Sequence, residues 1–154
     1  MRILVISDSH GNTRNIERAV ESQPEANIII HLGDGADDIV DLEFVYRDKQ
    51  FYQVAGNCDW GSSLPLEGEL KVADKTIFFV HGHEYRVKTH LQQIKMEARK
   101  RNADIVLFGH THLPITEYDD ELYLLNPGSL QYADGTYGII DITDAGISVQ
   151  IIKV

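Results

Sequence analysis

The chain has 154 residues, of which 43% are hydrophobic and 25% charged, and its formal net charge is −10. This length and composition predict one globular domain with a real core, and no apolar run approaches the roughly 18 residues that a membrane helix needs. The negative charge argues against a passive nucleic-acid binder, because such proteins present a basic face to the phosphates.

The first half of the chain alternates predicted strands and helices. Three short, β-branched apolar runs predict buried parallel strands, which cover residues 1–7, 27–32 and 51–55. Asn12 or Thr13 can cap a helix after the first strand, and Asp37 and Asp38 suit the start of a second helix by the dipole argument. This alternation is typical of a layered α/β fold with right-handed crossovers.

The second half is predicted to be mostly β. Residues 66–73 and 76–80 flank a two-residue turn as a hairpin, and Thr89 with Gln92 forms a capping box that predicts a helix start. Further strands are predicted at residues 104–108, 115–118, 122–125, 137–142 and 147–154. The pattern predicts two sheets packed face to face with helices outside, in a single domain covering residues 1–154.

Side chains that can bind a metal follow the predicted strands where each strand ends. In chain order they are Asp8, His10, Asp34, Asn57, His81, His110 and His112. In open α/β sheets, sites form in the crevice beyond the carboxyl ends of the strands. Gly109 is expected to let the backbone turn sharply before His110. Two histidines in one loop do not distinguish a site from an incidental polar loop, but five such strand ends favour a site.

This donor set favours two metal ions over one. Seven donors exceed one tetrahedral ion, and the lack of thiolates besides Cys58 argues against a structural zinc site. They suit two ions that share a carboxylate, an arrangement that clamps the attacking and leaving oxygens in phosphoryl transfer. Residue type alone does not choose the metal. We expect Mn²⁺, with Ni²⁺, Fe²⁺, Zn²⁺ and Mg²⁺ as alternatives.

Five short motifs carry a resemblance to a known family. They are Asp-Ser-His at 8–10, Gly-Asp at 33–34, Gly-Asn-Cys-Asp at 56–59, His-Gly-His at 81–83 and Gly-His-Thr-His at 109–112. In this order they resemble the calcineurin-like metallophosphoesterase superfamily, and most of all its small bacterial and archaeal phosphodiesterase branch. The resemblance runs through nearly the whole chain. It implies a four-layer αββα sandwich of two mixed β-sheets flanked by helices.

The resemblance also implies a ligand set and an activity. The first ion would be bound by Asp8, His10 and His112, the second by Asn57, His81 and His110, and both by Asp34. The implied activity is that of a dinuclear metal-dependent phosphodiesterase acting on a small phosphodiester. In this chemistry a hydroxide that bridges the two metal ions attacks phosphorus, and positioning and electrostatics do most of the work.

Position 58 departs from the broad family pattern. Many relatives carry a histidine there that helps to protonate the leaving group, whereas this chain has Cys58, as its small phosphodiesterase branch does. The candidate catalytic residues are therefore Asn57, Cys58, Asp59 and His83. We expect Cys58 to be a small buried packing residue, with proton donation as the alternative. Asp59 would position water or an imidazole, or cap a turn, and His83 would contact the substrate phosphate.

Two other features have structural interpretations. His31 lies inside the second predicted strand, so we expect it to support the site or the core rather than to bind an ion. Residues 126–129, Asn-Pro-Gly-Ser, contain a Pro-Gly pair that a turn explains, with a role beside the site as the alternative.

A non-catalytic role is the main alternative. The same fold serves as a subunit of the eukaryotic retromer coat, which the chain resembles in size, but loss of ligands would favour such a scaffold and here all seven positions hold competent donors. A metal-free nucleotide-binding domain is disfavoured, since no Gly-x-Gly-x-x-Gly or Walker A pattern occurs. With one cysteine and no signal-peptide pattern, we expect a cytoplasmic protein. We expect no stable nucleic-acid binding and no membrane attachment, and the sequence leaves homo-oligomerisation open.

Overall fold

The computed structural model describes residues 1–154 and contains two five-stranded mixed sheets. From edge to edge, the first sheet contains β10 (Gly146–Lys153), β9 (Thr136–Thr143), β1 (Arg2–Ile6), β2 (Ala26–His31) and β3 (Gln50–Gln53). The second contains β4 (Glu67–Val72), β5 (Lys75–Val80), β6 (Ile105–Leu107), β8 (Leu122–Asn126) and β7 (Ile115–Asp119). The helices are α1 (Thr13–Ser22), α2 (Val40–Val45) and α3 (Gln92–Lys100), and a short 3-10 helix covers His83–Tyr85. No helix combines the length and the apolar character that crossing a membrane would require.

Parallel strands form the centre of each sheet. In the first sheet β1 and β2, and β2 and β3, pair in parallel, while β9 and β10 are antiparallel additions. In the second sheet β5, β6 and β8 are parallel, and β4 and β7 form antiparallel edges. All ten predicted strands are present, each end within two residues of its predicted position.

The central strands β1, β2 and β6 are buried on both faces, because each sheet packs against one layer on either side. In β1, Ile3 and Val5 contribute to a cluster of 13 buried side chains between the sheets, together with residues of the second sheet such as Leu107. Leu4 points the other way, into a cluster shared with α1 and α2. A third cluster packs Ile94 of α3 against the outer face of the second sheet. The predicted αββα sandwich is therefore confirmed.

One helix start is confirmed. The Asn12 side chain accepts a hydrogen bond from the N–H of Asn15 and caps α1 as expected.

Two predicted helix starts are wrong. The Thr89 capping box does not form, because the N–H groups of Thr89 and His90 both donate to the carbonyl of Arg86 and α3 begins only at Gln92. Asp37 and Asp38 are not at a helix start either, because α2 begins at Val40 and its N-cap residue is Ile39.

Candidate metal centre

The loops that follow β1, β2 and β6 are joined directly to one another. The N–H of Asp8 donates to the carbonyl of Gly33 at 3.0 Å, and the N–H of His10 donates to the carbonyl of Asp34 at 3.0 Å. A bond also joins the two sheets: the N–H of His110, in the loop after β6, donates to Asp8 Oδ2 at 3.0 Å. These bonds bring the donors of both sheets to one edge of the sandwich, which is where the strand ends predict them.

A first group of donors consists of Asp8, His10 and His112, whose ligand atoms all lie within 4.8 Å of one another. Asp8 Oδ1 is 3.1 Å from His112 Nε2, and the Nε2 atoms of the two histidines are 3.4 Å apart. Asp8 Oδ1 is buried and has no hydrogen-bond partner. A buried carboxylate oxygen costs free energy unless it is compensated, so this oxygen fits a metal ligand.

A second group surrounds His81. Its Nε2 lies 3.0 Å from Asn57 Oδ1, 3.2 Å from His110 Nδ1 and 3.4 Å from Asp34 Oδ2. Its Nδ1 lies 2.7 Å from the carbonyl oxygen of Leu32. Because a carbonyl only accepts hydrogen bonds, Nδ1 carries a proton, and Nε2 is the nitrogen that faces the other donors and would bind a cation after losing its own proton.

Asp34 lies between the two groups. Its Oδ2 is 3.4 Å from His81 Nε2 and 3.8 Å from His10 Nε2, and its Oδ1 accepts the N–H of Cys58 at 2.7 Å. Burial opposes ionisation, but the hydrogen bonds from His81 and Cys58 outweigh it and hold the pKa of Asp34 well below its ordinary value. An ionised carboxylate between two donor groups suits a ligand shared by two ions.

The protonation of the histidines also fits a metal centre. Burial and the neighbouring His81 lower the pKa of His110 to about 4, so this imidazole is neutral at neutral pH. Burial lowers the pKa of His81, but the Asp34 carboxylate outweighs this and raises it in the metal-free protein. A cation and a proton would therefore compete for His81.

Five of the seven predicted ligands have a left-handed backbone. They are Asp8, His10, Asp34, His110 and His112, with φ from 46° to 67°. Such residues are uncommon outside glycine, although Asp and His are enriched among them. Backbone strain of this kind clusters at functional sites, where the surrounding structure maintains it.

Gly109 is needed for space and not for a left-handed turn. Its φ is not positive, and His110 takes the left-handed conformation instead. A Cβ at position 109 would collide with Ser7 Oγ and lie 2.7 Å from Asp8 Oδ2. The expected reason for this glycine is corrected: it lets the loop after β6 approach the loop after β1.

His31 supports two of the ligand loops. It is fully buried, its Nδ1 accepts the N–H of Gly33 at 3.1 Å, and its Nε2 donates to Ser9 Oγ at 3.0 Å. Ser9 in turn donates to Asp38 Oδ2 at 2.6 Å. Burial lowers the pKa of His31 to about 4, so the ring is neutral. The expected supporting role agrees with these contacts, but the partners Ser9 and Asp38 had no signal in the sequence.

Asp59 links two ligand loops through its carboxylate. Its two oxygens accept four backbone N–H groups at 2.7–2.9 Å, from Asp34, Gly35, Ala36 and Gly56. Burial raises its pKa, but these bonds outweigh burial, so the pKa is lowered and the carboxylate carries no proton at neutral pH. This geometry favours positioning of the loops over the transfer of a proton.

Cys58 is exposed, so the expectation of a buried packing residue is wrong. Its Sγ lies within 4.8 Å of donor atoms of His10 and Asp34, and Asn57 Nδ2 is 3.4 Å from it. Partial desolvation, and then the nearby Asp34 carboxylate, raise the pKa of the Cys58 thiol. The group is therefore a protonated thiol at the margin of the site.

His83 lies beside the second donor group. Its ring centroid is 5.5 Å from that of His81 and 6.1 Å from that of His110. Its Nδ1 is buried without a hydrogen-bond partner, and burial followed by the charge of His81 lowers its pKa. A neutral imidazole with an uncommitted nitrogen is available to a group bound at the centre.

The loop at residues 126–129 is more than a turn. Ser129 Oγ donates to the carbonyl of Asp8 at 2.8 Å, and Asn126 Nδ2 donates to the carbonyl of Gly109 at 2.9 Å and to Thr111 Oγ1 at 3.0 Å. The turn interpretation is therefore incomplete, because both polar side chains of this loop hold ligand-bearing segments in place.

Comparison with known proteins identifies relatives of this chain. The family model described as the calcineurin-like phosphoesterase superfamily domain matches residues 1–145. The chain is 32% identical over 133 residues to "Probable metallophosphoesterase YsnB" of Bacillus subtilis, covering 85% of this chain and 76% of that protein. It is 29% identical over 160 residues to "Phosphodiesterase MJ0936" of Methanocaldococcus jannaschii, covering 92% and 93%. The structure of wild-type Vps29 complexed with zinc from Entamoeba histolytica has the same fold, with a TM-score of 0.77, 21% identity and coverage of 100% and 98%. The chain therefore belongs to the calcineurin-like phosphoesterase superfamily.

Proposed function

We propose that the protein is a metal-dependent phosphodiesterase that hydrolyses a P–O bond of a small diester at a dinuclear centre. The observation that carries this proposal is the arrangement of the seven donors in two groups, with the Asp34 carboxylate 3.4 Å and 3.8 Å from a histidine of each. The single cysteine supports a reducing compartment, the cytoplasm.

The donor set fits two divalent ions, which when bound would supply hydroxide at neutral pH and neutralise charge on the phosphoryl oxygens. We propose Mn²⁺ as the metal, with which the mixture of carboxylate, amide and imidazole ligands is compatible. The protein's part is to fix these ligands. The Leu32 carbonyl sets the tautomer of His81, and the Cys58 N–H orients Asp34. His83 would donate to, or accept from, the bound phosphoryl group.

Neither Asp59 nor Cys58 is a suitable acid for the leaving group. Asp59 is ionised, and the raised pKa of the Cys58 thiol makes it a poor proton donor, since general acids work best with a pKa near the working pH. We therefore propose a preference for diesters whose leaving group is stable as an anion. The net charge of −10 also repels a monoester, which carries up to two charges, more than a diester, which carries one.

A non-catalytic scaffold is the competing assignment, because Vps29 shares the fold. Vps29 from Entamoeba histolytica forms a complex with zinc, so metal binding alone does not separate the two functions. The complete donor set favours the enzyme, and turnover decides between them.

The test compares bis(p-nitrophenyl) phosphate with p-nitrophenyl phosphate, using metal-stripped protein reloaded with Mn²⁺. We expect faster turnover of the diester. Asp34→Asn should lose about tenfold more activity than Asp8→Asn, because a shared ligand supports both ions. Circular dichroism controls for folding. No diester turnover with both ions bound would favour the scaffold, and near-normal turnover by Asp34→Asn would exclude the bridging role.

A further inference from the structure

Trp60 is the most exposed large hydrophobic residue of the chain, with 92% of its surface accessible. Tryptophan side chains are highly buried on average, so one as exposed as Trp60 has no role in packing the core. It lies in the loop after β3, two residues after Cys58 and three after the predicted ligand Asn57. An indole held in solvent beside the centre is available to a ligand.

The loop that presents the indole is held in place. The N–H of Trp60 donates to the carbonyl of Cys58 at 3.0 Å, and the N–H of Ser62 donates to the carbonyl of Asp59 at 3.2 Å. The Asp59 carboxylate accepts the N–H of Gly56 at the start of the loop. Preorganisation of this kind lowers the entropic cost of binding.

Trp60 is one of the residues that line a cavity of about 300 Å³, which is within the size range of small-molecule sites. Cys58 also lines this cavity, and its sulfur belongs to the donor group that contains Asp34. The cavity and the metal centre therefore meet at Cys58. One ligand can place its phosphoryl group at the centre and a second substituent against Trp60.

The charge of the cavity indicates the kind of substituent. Asp37 and Ser62 contribute the polar side chains beside Asp59, and no lysine or arginine lines the cavity. A second phosphate would meet only negative charge there. A planar, uncharged group that donates hydrogen bonds would stack on the indole and reach the Asp37 carboxylate.

We propose that this cavity binds a nucleobase of the diester substrate, stacked on Trp60, so that the enzyme prefers nucleoside phosphodiesters over aliphatic ones. The proposal rests on the proposed phosphodiesterase function for its kinetic arm only. The contact between base and indole is independent of turnover, and Trp60 is the only tryptophan of the chain, so its fluorescence reports on the cavity alone.

The decisive experiment titrates Mg²⁺-loaded protein with adenosine monophosphate and, as a matched probe without a base, ribose phosphate. We expect saturable quenching of the Trp60 fluorescence by adenosine monophosphate and no comparable change with ribose phosphate. Equal responses to the two probes, or no response to either, would overturn the cavity assignment whatever the enzyme hydrolyses. A response confined to adenosine monophosphate supports it even if no diester is turned over, and then only the proposed function falls.

The kinetic arm compares the p-nitrophenyl ester of thymidine monophosphate with methyl p-nitrophenyl phosphate, which share a leaving group. Trp60→Leu should raise the KM of the nucleoside ester about tenfold, as expected for a lost base–indole stack, and leave its kcat and the methyl ester unchanged. Trp60→Phe should restore most of the affinity. Tyr118→Leu, which removes an exposed aromatic side chain outside this cavity, is the control. An equal change in KM for both esters, or the same change in Tyr118→Leu, would contradict the assignment.

Discussion

At the scale of single residues, five of the seven donors have a left-handed backbone conformation, which residues other than glycine rarely adopt. His10 and His112 have φ values of 46° and 59°, and Asp8 keeps a buried carboxylate oxygen without a hydrogen-bond partner. Both features cost stability in the metal-free protein. A bound cation would offset the free-energy cost of the buried Asp8 oxygen, as expected if the residue is a metal ligand.

The strain at His112 predicts an unusual pair of variants. In metal-free protein, His112→Gly should have a free energy of unfolding about 0.5–1 kcal/mol higher than His112→Ala, because only glycine adopts φ near 59° without strain. Both variants lose the imidazole, so the difference isolates the backbone. Urea denaturation with a chelator present measures it. A more stable alanine variant would mean that the backbone at this position is unstrained.

His81 and His31 are both buried histidines, but their contacts predict different losses. His81→Gln should lose about 100-fold or more of the diesterase activity, since its Nε2 lies among the donors. His31→Gln should stay within about tenfold of the unmodified protein, because His31 contacts Ser9 and Gly33 and no donor atom. Steady-state rates at saturating Mn²⁺ provide the comparison. Losses of equal size in two folded variants would mean that His31 binds an ion or directly contacts one of its ligands.

At the scale of secondary-structure elements, the site depends on how loops from different strands are fastened together. Asp59 fastens the loop after β3 to the loop after β2 through backbone N–H groups. This contact fixes the relative position of the two loops and so brings Asp34 and Asn57 to the same centre. The loop at residues 126–129 does the same for the loops after β1 and β6.

Replacement of Asp59 tests this fastening. Asp59→Asn substitutes an NH₂ group for one acceptor oxygen and leaves two backbone N–H groups unpaired, so the affinity for the metal should fall about 10–100-fold. Calorimetric titration with Mn²⁺ measures the affinity. Asp48→Asn, which changes an exposed carboxylate outside the donor groups, is the control for the change in net charge. Unchanged affinity in Asp59→Asn would show that the loops hold their register without it.

The sequence predicts elements and donors better than the contacts that join them. The strands can be predicted because each is a short apolar run, as in β1. The candidate donors can be proposed because they lie in the loops that follow the strands. The helix start at Thr89 fails because hydrogen bonds to Arg86 compete with the capping box. The exposure of Cys58 and the hydrogen bonds of the Asp59 carboxylate to residues 34–36 depend on residues far apart in the chain. A local sequence pattern does not predict such contacts.

At the scale of the whole molecule, the centre exists only when the two sheets are packed. Asp8, Asp34 and Asn57 come from loops of the first sheet, and His81 and His110 from the second. The bond from the His110 N–H to Asp8 crosses between them. Ions that bridge the sheets would therefore stabilise the native state against the unfolded chain by mass action.

A stepwise titration with Mn²⁺ tests whether two ions together make the centre a phosphodiesterase. Metal-stripped protein receives Mn²⁺ in steps while bound metal and hydrolysis of bis(p-nitrophenyl) phosphate are measured on the same samples. We predict that activity rises until two ions are bound per chain and is removed by a chelator. Full activity with one ion bound, or two bound ions without hydrolysis, would rule out a dinuclear phosphodiesterase.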